Sequence, residues 1–317
     1  MMEFAKILTI GMGESNLDGD YWKKLDALAK ERKSLAIDSQ EIKRQLHDTD
    51  CLLVVPFSFK LDKEIIDAAP NLKYIGVFST GYGKVEIDYA KSRDIPVCNI
   101  PGYSTEAVSE FVFAALLEHI RNLEGGKIQA RKGNHSEEGF SAIEIKDKVF
   151  GVIGLGRIGG RVAEIALGFG ADVRYWSKNR KKEFEEKGIK YEDIDSLIPK
   201  CDFLSLNLAL TKETVGFLTQ ERIKKIKKGG ILINTVPMEL VDIPQIERRL
   251  KDNEITFILD HSDEMVKEDL DKLSKHKNCV IYPPIAYVTK EARVLKQEIF
   301  IGNIESFLKG SPINRVN

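Results

Sequence analysis

Residues 149–160 read VFGVIGLGRIGG, an apolar run that passes directly into the spacing G-x-G-x-x-G. The run predicts a buried strand, and the residues after the glycines predict a helix and then a second strand. In that context Gly154 permits a tight turn, Gly156 lets the backbone approach a pyrophosphate, and Gly159 lets the helix pack close to the strand. The helix N-terminus would then face the phosphates. The pattern predicts a dinucleotide site, and the alternative is a glycine turn of another α/β protein.

The residues after the second predicted strand bear on which dinucleotide is bound. An Asp or Glu is expected there, about twenty positions after the glycines, to hold the ribose hydroxyls of NAD and to repel a 2′-phosphate. Here the strand is followed by Ser177, Lys178, Asn179 and Arg180. A small hydroxyl with two nearby cations favours NADP over NAD. The alternative is that these are ordinary solvated cations of a lysine-rich chain.

The composition restricts the class of protein. The 317 residues are enough for two domains, and the formal net charge of −1 gives no electrostatic reason to expect nucleic acid or an anionic membrane as a partner. No apolar run approaches the roughly eighteen residues of a membrane span. The first residues resemble a β-strand more than a signal peptide. The four cysteines include no C-x-x-C pair, so we expect reduced thiols, a cytoplasmic protein and no metal site.

Short apolar runs alternate with helical patterns along the chain, which is typical of parallel sheets covered by helices. The predicted strands are 6–10, 51–55, 74–77, 96–98, 149–153, 172–176, 203–206, 230–233, 255–259 and 279–281. Helices are predicted over 104–123, 161–169 and 290–309, the last with an apolar stripe that includes Val294 and Leu295. Because the glycine motif begins near the middle of the chain, a separate N-terminal α/β domain is expected before the dinucleotide-binding domain.

Several segments, in order along the chain, are similar to the D-isomer-specific 2-hydroxyacid dehydrogenase family. They are FSTGY at 78–82, NIPGYSTEAV at 99–108, GLGRIG at 154–159, LTKET at 210–214, INT at 233–235 and LD at 259–260. Ala209 stands where the family usually has a proline. The similarity covers about residues 5–310, and it is more specific than the glycine motif alone.

The resemblance implies an α/β protein of two Rossmann-like domains. A smaller, flavodoxin-like substrate domain would comprise residues 1–99 and 287–317. A doubly wound, parallel-sheet NAD(P)-binding domain would comprise residues 100–286, with the active site between the two. The family also implies a homodimer formed through the cofactor domain, and oxidoreductase chemistry on the CH–OH or C=O of a small 2-hydroxy or 2-keto acid.

The resemblance, with the residues after the second strand, gives a set of expected ligand-binding positions. For the cofactor, NADP or alternatively NAD, they are Gly154, Gly156, Arg157, Ile158, Gly159, Ser177, Lys178, Arg180, Asn207, Thr211, Thr235, Val236 and Asp260. Asp260 would hold the nicotinamide carboxamide, or in the alternative only cap the turn after its strand. For the substrate, the loop of Ser79, Thr80, Gly81 and Tyr82 would present backbone amides to a carboxylate.

The three catalytic side chains of the family are not at their positions in this chain. The family's chemistry uses an Arg that pairs with the substrate carboxylate, a Glu, and a His that this Glu holds and that exchanges the hydroxyl proton. Those positions hold Pro237, Met265 and Pro284, respectively. A proline side chain can neither donate, accept nor carry charge. The family's proton relay is therefore not expected to operate.

Other side chains are candidates for part of this role. A shift by one residue would place Glu264 in the position of the Glu. His261 directly follows Asp260 at a strand end, where open α/β sheets place ligands, and Asp263 or Glu264 could orient it. His261 is thus the candidate catalytic residue, and the alternative is a solvated or structural histidine.

Two further residues lie near the expected substrate positions. Lys84 could replace the missing positive charge, or it is an exposed loop lysine. Tyr287 could fill the cleft or supply a phenol proton. The sequence leaves open an NAD(P)-dependent oxidoreductase with substitute residues, a nucleotide-responsive binding or regulatory protein without turnover, and a non-redox reaction in the same cleft. Fold alone does not decide among them.

Overall fold

The computed structural model describes residues 3–56 and 59–317, without the side chain of Glu264. The chain forms two compact units. Unit 1 comprises the residues up to Tyr103 together with Thr289–Asn317, and unit 2 comprises Ser104–Val288. Each unit is built around one sheet in which all neighbouring strands pair in parallel. The predicted α/β class with two Rossmann-like sheets is confirmed.

Unit 1 has a five-stranded sheet and unit 2 a seven-stranded sheet. The strands of unit 1 are β1 (Phe4–Ile10), β2 (Ala29–Leu35), β3 (Cys51–Val54), β4 (Tyr74–Val77) and β5 (Val97–Cys98). Those of unit 2 are β6 (Val149–Ile153), β7 (Asp172–Trp176), β8 (Lys190–Tyr191), β9 (Phe203–Leu206), β10 (Gly230–Asn234), β11 (Ile255–Leu259) and β12 (Cys279–Ile281). The smaller sheet has the flavodoxin-like order β2-β1-β3-β4-β5. The larger has the order β12-β11-β10-β9-β6-β7-β8, so the direction in which successive strands are added reverses between β6 and β9, as in doubly wound dinucleotide-binding folds.

Helices connect the strands of both sheets. They are α1 (Gly19–Asp26), α2 (Ile42–Leu46), α3 (Lys63–Asp67), α4 (Ile87–Ser92), α5 (Thr105–Arg121), α6 (Leu123–Arg131), α7 (Arg157–Gly168), α8 (Lys182–Glu185), α9 (Ile194–Leu197), α10 (Gln220–Lys225), α11 (Ile243–Lys251), α12 (Lys267–Leu273) and α13 (Lys290–Leu308). Short 3-10 helices lie at Glu14–Asn16, Ile198–Lys200, Met238–Leu240 and Ser262–Glu264. Among the described residues, no helix is long and apolar enough to cross a lipid bilayer.

Both faces of each sheet are covered by apolar side chains. In β1, Leu8 and Ile10 pack into one buried cluster, and Ile7 packs into another on the opposite face. Strands covered on both faces are apolar at nearly every position. This is why the central strands are readable from the sequence as continuous apolar runs, and their predicted positions are confirmed to within two residues. All four cysteines are buried, and none forms a disulfide.

Two strands and one helix start differ from the sequence-based prediction. The strands β2 and β8 were not predicted, because both lie at a sheet edge and are polar: β2 reads AKERKSL and pairs only with β1. Edge strands tolerate charged side chains because one side of the ladder faces solvent. The helix predicted over 161–169 begins at Arg157, four residues earlier, because the first turn of α7 contains Gly159 and Gly160.

The apolar stripe predicted on α13 is partly wrong. Val294 and Leu295 are 44% and 41% exposed, whereas Gln297 and Asn303 are buried. The Gln297 amide donates to the Asp18 carboxylate over 2.9 Å, and the Asn303 amide donates to a backbone carbonyl over 2.7 Å. Hydrogen bonds thus allow polar side chains to take buried positions that an apolar pattern would not predict.

Candidate functional site

The glycine turn joins β6 to α7 at the carboxyl end of β6. Gly154 has a φ of +93°, in the left-handed region that favours glycine, and a Cβ there would lie 2.8 Å from the backbone oxygen of Asn207. A Cβ on Gly159 would lie 1.9 Å from the backbone oxygen of Gly154. At Gly156, by contrast, no atom of the described residues beyond its immediate chain neighbours lies within 4 Å of the Cβ position. The fold therefore requires glycine at 154 and 159, and it leaves open space in front of Gly156.

The N-terminus of α7 faces this open space. The helix has 12 residues, and its N-cap is Gly156, which has no side chain to accept from the first amides. The first backbone N–H groups of a helix have no partner within the helix. The amides of Arg157, Ile158 and Gly159 are thus available to an anion at the positive end of the helix dipole.

Three polar side chains stand at the carboxyl ends of neighbouring strands in unit 2. Asn207 directly follows β9, Thr235 follows β10 and Asp260 follows β11. Within the described part of the chain, the buried atoms Oδ1 of Asn207, Oγ1 of Thr235 and Oδ1 of Asp260 have no hydrogen-bond partner. An unsatisfied buried polar atom costs about 1–3 kcal/mol. Because the fold does not satisfy these atoms, they are expected to bind a ligand.

These residues and the glycine turn form one candidate site, which we call the nucleotide site. A Cβ on Gly159 would lie 3.2 Å from the Cβ of Asn207, so the turn and the end of β9 are adjacent. The sheet order reverses between β6 and β9 at this point, where doubly wound folds bind dinucleotides. The open space at Gly156, the α7 amides and the orphaned polar atoms all fit a dinucleotide.

Asp260 is buried, and one of its two carboxylate oxygens is engaged within the chain. The residue is 2% exposed, and its Oδ2 accepts a hydrogen bond from the Ala286 amide over 3.0 Å. This oxygen fixes the segment that contains Pro284, while the other oxygen remains for a ligand. Burial raises the pKa of Asp260, and the neighbouring His261 and the Ala286 amide oppose that shift.

Two other predicted cofactor residues shape the surrounding turns. The Thr211 hydroxyl lies 3.1 Å from the hydroxyl of Thr214, which also accepts from the Thr211 amide over 2.7 Å. Thr211 therefore stabilises its own turn. The Asn234 side-chain amide donates to the backbone oxygen of Val236 over 2.8 Å, so Val236 lies in a turn fixed from the end of β10.

The residues after β7 are already engaged with one another or with carboxylates. The Ser177 hydroxyl donates to the backbone oxygen of Asn179. The Lys178 ammonium lies 2.6 Å from the Glu213 carboxylate, and both side chains are exposed. Arg180 donates through two nitrogens to Glu185, which raises the pKa of the guanidinium, and it lies 5.0 Å from the ring centroid of Tyr191. Solvent screens an exposed pair such as Lys178–Glu213, so a phosphate can displace it more easily than the Arg180 contacts.

The residues at the expected catalytic positions have side chains without proton chemistry. Pro237 precedes the 3-10 helix Met238–Leu240 as its N-cap, and Met265 packs against the apolar cluster of unit 2. His261 is half-buried and precedes the 3-10 helix Ser262–Glu264. Asp263 is exposed, and the side chain of Glu264 lies outside the described residues. Across the described ranges, no group of three or more His, Cys, Asp or Glu side chains could hold a metal ion.

In unit 1 the expected substrate loop, Ser79–Tyr82, follows β4 and is fixed to the segment after β5. The Thr80 hydroxyl donates to the Ile100 oxygen over 2.8 Å, the Ile100 amide donates to the Ser79 oxygen over 3.0 Å, and the Asn99 side chain donates to the Thr80 oxygen over 2.6 Å. Asn99 was not predicted as a site residue, although it lies within a quoted family segment. Lys84 is exposed, as is Tyr287 of unit 2. The loop thus has a defined conformation.

The chain is similar to known proteins over most of its length. Residues 113–286 match the family model described as "D-isomer specific 2-hydroxyacid dehydrogenase, NAD binding domain". The hydroxypyruvate reductase of Blautia hydrogenotrophica is 32% identical over 308 residues, which are 93% of this chain and 94% of that protein. The glyoxylate reductase of Thermococcus litoralis is 38% identical over 277 residues, 84% of this chain and 83% of that protein. Among solved structures, an acyclic imino acid reductase (Bsp5) in complex with NADPH and D-Arg has a TM-score of 0.86 at 30% identity, covering 98% of this chain and 100% of that one.

Proposed function

Because the chain belongs to the D-isomer-specific 2-hydroxyacid dehydrogenase family, we propose that it is a nicotinamide-dependent oxidoreductase of small 2-oxo or 2-hydroxy acids. Its ordinary turnover is limited by Pro237, Met265 and Pro284. The observation that carries the proposal is the nucleotide site: Asn207, Thr235 and Asp260 retain buried polar atoms that have no partner among the described residues. The relatives' printed activities, hydroxypyruvate and glyoxylate reduction, support the substrate class.

The nucleotide site would hold the cofactor through the residues already described. The amides at the start of α7 would bind the pyrophosphate in the open space at Gly156, and Asp260 would accept from the carboxamide. A bound nicotinamide dinucleotide supplies or accepts the hydride. The reduction of a carbonyl also needs a proton on oxygen, and Pro284 supplies none. Since a positioned acid contributes about 10²–10⁴ in rate, we expect slow reduction of 2-oxo acids.

A second candidate reaction is the reduction of a 2-imino acid. A protonated C=N bond already carries its proton and a positive charge, so addition of a hydride to carbon gives the neutral amine directly. No proton donor is needed for that step, which fits a chain with proline at the position of the family's His. The similarity to an acyclic imino acid reductase solved with NADPH favours this candidate.

The assay that separates these reactions measures NADPH oxidation with glyoxylate, hydroxypyruvate and pyruvate, each with and without methylamine to form the imine. We expect the amine to raise the rate by about tenfold or more, because the protonated imine bypasses the missing acid. Equal, fast rates without amine would contradict the role assigned to the three replaced residues. Tight NADPH binding without oxidation of any substrate would overturn the oxidoreductase and favour a nucleotide-responsive binding protein.

We propose NADP(H) as the preferred cofactor, with Lys178 and Arg180 binding the 2′-phosphate beside Ser177. We expect the double variant Lys178→Ala and Arg180→Ala to lose NADPH affinity about tenfold or more, because contacts of a charged group are worth about 1.5–3 kcal/mol each. Its NADH affinity should stay nearly unchanged, since NADH has no 2′-phosphate. Fluorescence titrations with both nucleotides test this.

The control for cofactor choice is Lys182→Ala, which removes an exposed lysine from the adjacent helix α8. This variant should bind both nucleotides like the wild type. An equal loss of NADH and NADPH affinity in the double variant would refute the phosphate-binding role. Such a result would identify Lys178 and Arg180 as residues that support the fold of the loop.

A homodimer formed through unit 2 is also proposed, as the family implies. Leu123, Ile128 and Ile143 of this unit are 48%, 43% and 45% exposed. Contiguous exposed apolar patches are typical of protein interfaces, and these side chains are the candidates for such a patch. Sedimentation at several protein concentrations would measure the oligomeric state, and a monomer at all concentrations would contradict the proposal.

A further inference from the structure

Lys296 on α13 carries a cation at the start of the substrate loop in unit 1. Its Nζ lies 4.2 Å from the ring centroid of Phe78 and 5.2 Å from that of Tyr103. Phe78 is buried and immediately precedes Ser79, the first residue of the loop. The ammonium group is therefore fixed against the base of the loop whose amides were expected to face a carboxylate.

Among the residues that the structure describes, no carboxylate pairs with Lys296 or contributes to its titration. The charged neighbour is Arg293, one turn earlier on α13, and its guanidinium is bound to Asp18 at 2.7 Å. From the segment after β5 the facing side chain is the titratable Tyr103, and directly after β4 the facing side chain is Phe78, which does not titrate. Burial, with a smaller contribution from Arg293, lowers the pKa of Lys296 to about 8.

A partly buried ammonium without a counterion is energetically unfavourable, and an anion would relieve that cost. The faces of aromatic rings attract a cation by about 0.5–2 kcal/mol but do not neutralise it. The position at which the family has its carboxylate-binding Arg holds Pro237. Lys84, the replacement suggested by the sequence, is exposed to solvent. Lys296 is thus the better placed cation for a ligand at the loop.

We propose that Lys296 binds the carboxylate of the substrate and so replaces the family's arginine. The identity of the ligand as a small 2-oxo or 2-imino acid rests on the proposed function. An ammonium group acts as a point charge, whereas a guanidinium binds a carboxylate through two parallel hydrogen bonds. We therefore expect Lys296 to supply affinity for small carboxylates with less control over their orientation than an arginine gives.

The test measures binding of oxamate, a non-reducible analogue of a 2-oxo acid, to the NADPH-saturated protein by calorimetry across a series of pH values. The ammonium form binds and the neutral amine does not. Affinity should therefore be full below about pH 8 and fall about tenfold per pH unit above it. Lys296→Met should weaken binding at least about tenfold and abolish the pH dependence. Lys296→Arg should retain binding and remove the decline at high pH, because a guanidinium stays charged.

The matched control is Lys290→Met, which removes an exposed lysine from the same helix. This control should keep the oxamate affinity and the pH profile of the wild type, and all variants should bind NADPH equally. Unchanged oxamate binding and an unchanged pH profile in Lys296→Met would overturn the inference, and so would a wild type that does not bind oxamate at any pH. The NADPH oxidation assay still decides the proposed function in either case, so the two failures are distinguishable.

Discussion

Gly156→Ala should leave the protein folded and weaken NADPH binding about a hundredfold. Gly156 has φ −84° and ψ −155°, an extended conformation, and its Cβ would meet no atom of the described residues within 4 Å beyond its immediate chain neighbours. The added methyl group would occupy the space in which the α7 amides are expected to receive the pyrophosphate. Losing about 2.7 kcal/mol of such charge-assisted contacts corresponds to the hundredfold change. NADPH titration and denaturant unfolding of the same sample measure both effects.

Two further glycine variants separate the expected effect on NADPH binding from effects on folding. Gly159→Ala places its Cβ 1.9 Å from the backbone oxygen of Gly154, so the backbone must move, and we expect a loss of about 3 kcal/mol in unfolding free energy. Gly168→Ala, at the end of the same helix with nothing outside its own helix turn and chain neighbours within 4 Å of its Cβ position, should not lower stability and should leave binding unchanged. Wild-type NADPH affinity in Gly156→Ala would show that the turn does not contact the phosphates.

Restoring the family's residues should produce the largest gain in activity. In the triple variant Pro237→Arg, Met265→Glu and Pro284→His, we expect kcat for glyoxylate or hydroxypyruvate to rise by about 10²–10⁴ without added amine. The histidine would supply the proton that the carbonyl oxygen needs, and the arginine would orient the carboxylate. Steady-state kinetics with NADPH in excess measure the change.

A double variant separates binding from proton transfer in this experiment. Pro237→Arg with Met265→Glu, which lacks the histidine, should lower KM and leave kcat nearly unchanged, because carboxylate binding improves while no acid is present. If the folded triple variant binds NADPH but gains no turnover, the three replaced side chains are not what limits the reaction. The substrate class would then have to be sought elsewhere.

The sequence predicts the fold well where buried strands appear as runs of apolar residues. The strands β6, β7, β9 and β11 were located to the residue, because apolar side chains recur along each of them and both faces of their sheet are covered. The edge strand β2 was not predicted, because its side chains are largely polar, although its backbone pairs with β1. The stripe on α13 failed for a related reason: Gln297 and Asn303 are buried through hydrogen bonds that depend on residues far away in the sequence.

In the candidate site, too, local sequence patterns could be predicted and contacts between distant residues could not. The spacing of Gly154, Gly156 and Gly159 is local, so its geometry could be foreseen from the sequence. The environment of Lys296 could not be, because Phe78 and Tyr103 lie about two hundred residues earlier in the chain. The ion pairs of Lys178 with Glu213 and of Arg180 with Glu185 could not be predicted from the sequence either.

The orphaned polar atoms at the ends of β9, β10 and β11 lower the folding stability of unit 2, and the same atoms are available to bind a ligand. Asn207, Thr235 and Asp260 each keep an atom that the described residues leave unsatisfied, at about 1–3 kcal/mol apiece. That is appreciable beside the 5–15 kcal/mol by which a typical domain is stable. Apolar side chains of similar shape would raise the free energy of unfolding but would remove the ligand site. Selection for thermal stability would therefore favour apolar residues at these three positions, whereas selection for cofactor affinity would favour polar ones.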